Sequence, residues 1–132
     1  MVTTEHTETT ERDPLTQRVI GCAIEVHRHL GPGLLESSYE QCLAHELMLA
    51  KVRFRTQMPI PVLYKGVKLD CGYRADLIVE DCLILELKAV EQLSKLHEAQ
   101  ILTYMKLAKT TVGLLLNFNV RVLKDGIKRY KL

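Results

Sequence analysis

The hydrophobic period of this chain changes near residue 52 and again near residue 94, and those changes limit its folds more than any other feature. Before the first change the period is helical. Leu15, Val19, Cys22, Ala23, Val26 and Leu30 recur on one face, behind an Asp13-Pro14 pair that reads as an N-cap followed by a first-turn proline. Gly31-Pro32-Gly33 stops that helix. A second helix is predicted over residues 34–51, with Leu35, Tyr39, Cys42, Leu43, Leu47 and Ala50 on one side. Residues 52–57, 60–64, 67–73, 75–79 and 82–87 then read as short antiparallel strands. Pro59, Pro61, a Lys65-Gly66 turn and a Glu80-Asp81 turn separate them. Ser94 is placed to cap a third helix running to about Lys109, and residues 112–118 are nearly all aliphatic, as in a strand covered on both faces. A last strand, residues 127–130, is expected after a Lys124-Asp125-Gly126 turn. This order predicts an α/β (α+β) domain with a mixed central β-sheet flanked by helices.

The length of 132 residues fits one domain. Residues 13–132 read as that single domain. Residues 1–12 offer almost nothing to bury and are expected to form a disordered acidic tail. No apolar run approaches the length of a bilayer span and the N-terminus is polar, so no membrane association and a cytoplasmic location are expected. Cys22, Cys42, Cys71 and Cys82 lack metal-site or CxxC spacing and read as buried, reduced thiols. The net charge is only +2, but Arg121, Lys124, Lys128, Arg129 and Lys131 crowd the C-terminal end. That end suits either phosphate attraction or a solvated tail. The chain has no Trp, five Tyr and two Phe, too few aromatics for base stacking to be its main mode of binding nucleic acid.

Acids interrupt two of the apolar strands. Asp76 lies within residues 73–79, and Glu86 and Lys88 within residues 82–88. Glu86 and Lys88, two apart, share a strand face, while Leu83, Leu85 and Leu87 share the other. If the two strands form a hairpin, Asp76 and Glu86 converge at its open end. Two carboxylates suit a hard cation such as Mg²⁺, and an adjacent lysine suits the water or developing charge at a phosphorus centre. A plain salt bridge between Glu86 and Lys88 accounts for the same pattern on spacing alone. Arg74 is placed to meet a site carboxylate or a phosphate. His27 and His29 point in different directions on one helix, so they are poor joint ligands, and His45 and His97 read as surface residues.

The D-x9-E-x-K pattern of Asp76, Glu86 and Lys88 resembles the core motif of PD-(D/E)XK nucleases. The following Gln100-Ile101-Leu102-Thr103-Tyr104 resembles the Q-x3-Y of the group containing phage lambda exonuclease and RecB-type nucleases. Upstream, Gly33-Leu34-Leu35-Glu36-Ser37-Ser38-Tyr39 matches the signature of the GxxExxY protein family, as do its surroundings His29-Leu30-Gly31-Pro32 and Asp125-Gly126-Ile127-Lys128-Arg129. The resemblance covers about residues 14–131. It implies a restriction-endonuclease-like core and a nuclease hydrolysing phosphodiester bonds, with DNA as the expected substrate and Mg²⁺ or Mn²⁺ as cofactor. Glu36 would then join Asp76 and Glu86 at the metal, Gln100 would position Lys88 or the substrate, and Tyr104 would contact phosphate. Tyr39 reads as a core aromatic. The chain leaves no room for a separate specificity domain, so a homodimer or a protein partner is expected to add grip on DNA. The alternatives are a catalytically silent nucleic-acid- or protein-binding module on the same scaffold, and an interaction subunit whose acids are structural.

Overall fold

The structure, a computed structural model, describes residues 13–132 and the backbone of Thr7–Glu8. The elements are β1 (Thr7–Glu8), which was not expected, and then, in the predicted order, α1 (Pro14–Leu30), α2 (Glu36–Leu49), β2 (Phe54–Pro59), β3 (Val62–Tyr64), β4 (Val67–Leu69), β5 (Arg74–Val79), β6 (Leu83–Lys88), α3 (Lys95–Ala108), β7 (Val112–Asn117) and β8 (Ile127–Lys131), with a 3-10 turn at Leu123–Gly126 before β8. The disorder expected over residues 1–12 lies outside the described residues, except at Thr7–Glu8. There the backbone instead forms a short strand that pairs antiparallel with β8.

Asp13 caps α1, its Oδ1 accepting from Thr16 N–H at 2.7 Å, and its Oδ2 accepts from Arg129 Nη2 at 3.0 Å. Arg129 is buried there, while Arg121, Lys124 and Lys131 at the same basic end stay exposed. The sheet order is β1-β8-β7-β6-β5-β2 among the described residues. β6 and β7 are parallel across the α3 crossover, and the other neighbours are antiparallel. Glu80 and Asp81, both at positive φ, make the tight turn between β5 and β6. β3 and β4 form a separate hairpin through Lys65 and Gly66, also at positive φ. The segment expected to be one strand over residues 67–73 ends at Leu69, where Asp70 Oδ1 accepts from Gly72 N–H at 2.9 Å and turns the chain.

Three layers result. Leu77, Val79, Leu83, Leu85, Leu87, Leu114 and Leu116 face α1 and α2. Ile78, Ile84 and Leu115 face α3, with Ile101 and Met105 opposite them. Two expectations fail on burial. Leu35 is 76% exposed because it precedes α2 as its N-cap, outside the helical period that buries Tyr39, Leu43 and Leu47. Cys71 and Cys82 are exposed, since both lie in turns, and Cys22 and Cys42 are only partly buried. No helix among the described residues is long and apolar enough to cross a membrane.

Candidate active site

β5 and β6 pair from Val79↔Leu83 to Leu77↔Leu85, and the ladder ends there. Strands that part inside a domain leave backbone N–H groups that need acceptors. Here two acids supply them. Asp76 N–H donates to Glu86 Oε2 at 2.9 Å, and Leu87 N–H donates to Asp76 Oδ2 at 2.8 Å. Each carboxylate is thereby fixed across the gap, with its second oxygen left for other work. Glu86 is 3% exposed. Burial first, and the charge of Asp76 second, push its carboxyl up to about 8. Burial also raises Asp76, against the lowering effect of the Leu87 N–H and of Lys88. Lys88 Nζ lies 4.0 Å from Glu86 Oε1 and donates to Gln100 Oε1 at 3.3 Å.

α3 carries the second part of the group. Ser94 and His97 cap it reciprocally, which places His97 in the cap rather than free on the surface. Tyr130 O–H, from β8, donates to Glu98 Oε2 at 2.9 Å and fixes the helix against the sheet. One turn further on, Gln100 faces Lys88, and its Nε2 donates to Tyr104 O–H at 3.2 Å. The Tyr104 ring is buried against Ile101 and Met105 and meets the Tyr73 ring at 5.9 Å between centroids. Burial raises the Tyr104 phenol above its ordinary range. Arg74 is not drawn in: its guanidinium contacts Asp70 at 3.5 Å and the Tyr73 carbonyl at 2.8 Å.

Glu36 opens α2 at the rim. It is exposed, and its Oε2 accepts from Ala89 N–H, just past Lys88, at 3.2 Å. Its charge adds to the upward shifts of both Asp76 and Glu86. Tyr39 is fully buried and stacked on Phe118, with ring centroids 4.5 Å apart. Its hydroxyl donates to Gly31 O at 2.6 Å and accepts from Leu34 N–H at 3.1 Å, holding the loop that delivers Glu36. His27 Nε2–H donates to Val120 O at 2.8 Å, and His29 Nδ1 meets Glu25 O at 3.0 Å, so the two rings serve separate backbone contacts.

Three residues at the site were not singled out by the sequence. Gln57, at positive φ, donates to Glu40 Oε1 at 2.7 Å and to Asp76 Oδ1 at 3.4 Å. Glu40 sits one turn after Glu36, its carboxyl raised first by burial and further by Asp76; the i, i+4 spacing of two acids was its available signal. Asn117 stands beside Lys88 in the parallel register. Its amide brackets Val90, accepting from the N–H at 3.1 Å and donating to the C=O at 2.9 Å. A lone Asn ending an aliphatic run was the only hint of it.

Among the described residues, no three His, Cys, Asp or Glu side chains come together to hold a metal ion, so the expected trio of Glu36, Asp76 and Glu86 is not assembled as a cage. The Asp76–Glu86 pair nevertheless fits a hard divalent cation. The donors are all oxygens, and a cation held between them would offset the burial and the mutual repulsion that raise the Glu86 carboxyl.

A family model described as the PD-(D/E)XK nuclease superfamily matches residues 13–130. Comparison with curated proteins and with solved structures gave no significant match. The matched span takes in both helical layers, the splayed β5–β6 pair and the Lys88–Gln100 contact, and the chain belongs to the PD-(D/E)XK nuclease superfamily.

Proposed function

We propose that the protein is a metal-dependent nuclease that hydrolyses phosphodiester bonds in DNA, using Mg²⁺ or Mn²⁺ at Asp76 and Glu86. The observation that carries this reading is the crossed pair of hydrogen bonds that pins both buried carboxylates between the parting strands, with Lys88 alongside. Asp76 Oδ1 and Glu86 Oε1, the oxygens without backbone bonds, would hold the cation, and Glu36 at the rim would add its charge to the site. A hard cation bound there lowers the pKa of a water and neutralises charge at the phosphate.

The chain's own residues do the rest. Lys88 orients the attacking water and stabilises the charge that develops on the phosphoryl oxygens. Gln100 holds the Lys88 ammonium from α3 and keeps the Tyr104 hydroxyl aimed at the substrate backbone. Asn117 locks the loop behind Lys88. Arg74, at the start of β5, would exchange Asp70 for a phosphate when substrate arrives. The G-x-x-E-x-x-Y and Q-x3-Y motifs support a place in the GxxExxY family, on the RecB and lambda exonuclease side of the superfamily.

The test is direct. Purified protein is incubated with single-stranded and duplex DNA and with RNA, with Mg²⁺, with Mn²⁺ and with chelator. Cleavage of DNA that needs the ion and is lost in Asp76→Asn and Glu86→Gln supports the reading. A wild-type protein inert on every substrate points instead to a silent binding module.

A further inference from the structure

The β3–β4 hairpin leaves the sheet beside the catalytic group. It is inserted between Pro59 and Arg74, which pair at the end of β2 and β5, two residues from Asp76. Ile60 N–H donates to Tyr73 O at 2.9 Å and closes its base. The register Val62↔Leu69, Leu63↔Lys68 and Tyr64↔Val67 puts Val62, Tyr64, Val67 and Leu69 on one face. That face is uncovered: Tyr64 is 58%, Val67 54% and Leu69 43% exposed. An isolated hairpin with a bare apolar face is a poor use of sequence unless something covers it.

Charge and position say what does. Residues 62–69 hold two lysines and no acid. Lys65 Nζ lies over the Tyr64 ring, 5.5 Å from its centroid, at the tip of the turn. Lys68 projects from the opposite face, beside Leu63. At the base, Tyr73 touches Tyr104, which Gln100 links to Lys88. An apolar face with a cation at its tip and continuous with the site suits an anionic ligand that also presents flat apolar surface. Unstacked bases provide it, whereas a closed duplex offers mainly phosphate and groove edges. Val62, Val67 and Leu69 have nothing to pair with a 2′-hydroxyl, which favours DNA over RNA.

We infer that the β3–β4 hairpin is a binding surface for single-stranded DNA, stacking a base on Tyr64 while Lys65 takes a flanking phosphate and the face leads the strand towards Lys88. The assignment of the strand's destination rests on the nuclease reading; the binding surface does not.

The experiment is fluorescence anisotropy of the full chain with a labelled 20-mer in chelator, where no cleavage occurs, using single-stranded DNA, blunt duplex DNA and single-stranded RNA of the same sequence. Wild type is expected to prefer single-stranded DNA. Tyr64→Ala should weaken that binding roughly tenfold, as loss of one stacked base does, and Tyr64→Phe should retain it. Lys65→Ala should flatten the salt dependence by about 0.7 in log–log slope, and Lys68→Ala, on the other face, should leave it nearly unchanged. These side chains are exposed, so melting temperatures should match wild type. Equal binding by wild type and Tyr64→Ala, a preference for duplex or RNA, or no binding at all overturns the assignment. So does a dimer that Tyr64→Ala or Leu69→Ser converts to monomer, since a second copy then covers the face. A Tyr64→Ala protein that cleaves normally sinks the hairpin assignment and leaves the nuclease reading standing. Hairpin-dependent binding by a wild type that cleaves nothing does the reverse.

Discussion

At the scale of single residues, the site depends on which atoms of Asp76 and Glu86 face a ligand and which face the backbone. Asp76→Asn and Glu86→Gln keep the size of the side chain and an acceptor for the facing N–H, but remove the anionic oxygen. Both variants should fold and lose metal binding, measured by calorimetric titration with Mn²⁺, together with cleavage. Lys88→Ala is expected to differ: ion binding persists while kcat falls roughly 10²- to 10³-fold, the usual cost of losing one electrostatic contact to a transition state. Loss of ion binding in Lys88→Ala would move the lysine from catalysis to assembly of the acid pair. Tyr104→Phe should leave the melting temperature and ion affinity unchanged and weaken substrate turnover, because its ring rather than its hydroxyl packs in the core. A charge inside an aliphatic strand drew attention to Asp76, Glu86 and Lys88, but only the resemblance to PD-(D/E)XK nucleases set them apart from a plain salt bridge. Gln57 was not legible in the sequence. Its link to Glu40 and Asp76 depends on a positive φ that a glutamine in a strand does not announce.

At the scale of elements, the end of β6 at Lys88 is tied to the end of β7. Lys88 C=O accepts from Phe118 N–H at 2.8 Å, and Asn117 brackets Val90 on the other side of the loop. Asn117→Leu fits the buried volume but takes the partner from both backbone groups of Val90 and from the Asn119 N–H, which should destabilise the fold by about 2–3 kcal/mol. Denaturant melts check the stability. A fall in kcat measured where both proteins are fully folded, so that the loss is not one of folded fraction, checks that the loop positions Lys88. The turn after β7 is equally constrained: a Cβ on Gly126 would stand 2.2 Å from the Asn117 carbonyl oxygen, so Gly126→Ala cannot be accommodated without moving that segment. Such elements were readable where local chemistry marks them, as with Asp13-Pro14, Ser94, the Lys65-Gly66 turn and the aliphatic run of β7. The detachment of the β3–β4 hairpin from the sheet was not readable. Its alternation of apolar residues is that of a half-buried strand, and nothing local says that the facing layer is missing. Leu35 misled for a related reason: helical spacing continued one residue past the true start of α2.

At the scale of the whole molecule, two helical layers close on a sheet that parts at one end, so the fold encloses negative charge that the unfolded chain leaves in water. That sets a pH dependence. The Glu86 carboxyl has an ordinary value of 4.5 and stands at about 8 in the folded protein. Asp76 is shifted in the same direction by the same burial. Between those values the folded chain holds a proton that the unfolded chain has released, so folding is favoured while Glu86 is protonated, and stability falls as pH rises from about 4.5 towards 8. Asp13 has the opposite sign. Its carboxyl is lowered by the Thr16 and Arg129 hydrogen bonds against its own burial, so its contribution is present above its unfolded value and is lost in acid. In chelator, the melting temperature should therefore peak in mildly acidic solution and decline through neutrality. On the proposed reading a divalent cation should reverse the decline, because it would bind the deprotonated pair and release the proton. The rise in melting temperature on adding Mg²⁺ should be small near pH 5 and large near pH 8. Glu86→Gln separates this effect from every other titrating group: its metal-free melting temperature should be flatter than wild type from pH 5 to 8, and Mg²⁺ should not raise it. A wild-type profile parallel to that of Glu86→Gln would mean that water reaches the carboxylates in solution and that the enclosed charge does not govern the stability of the fold.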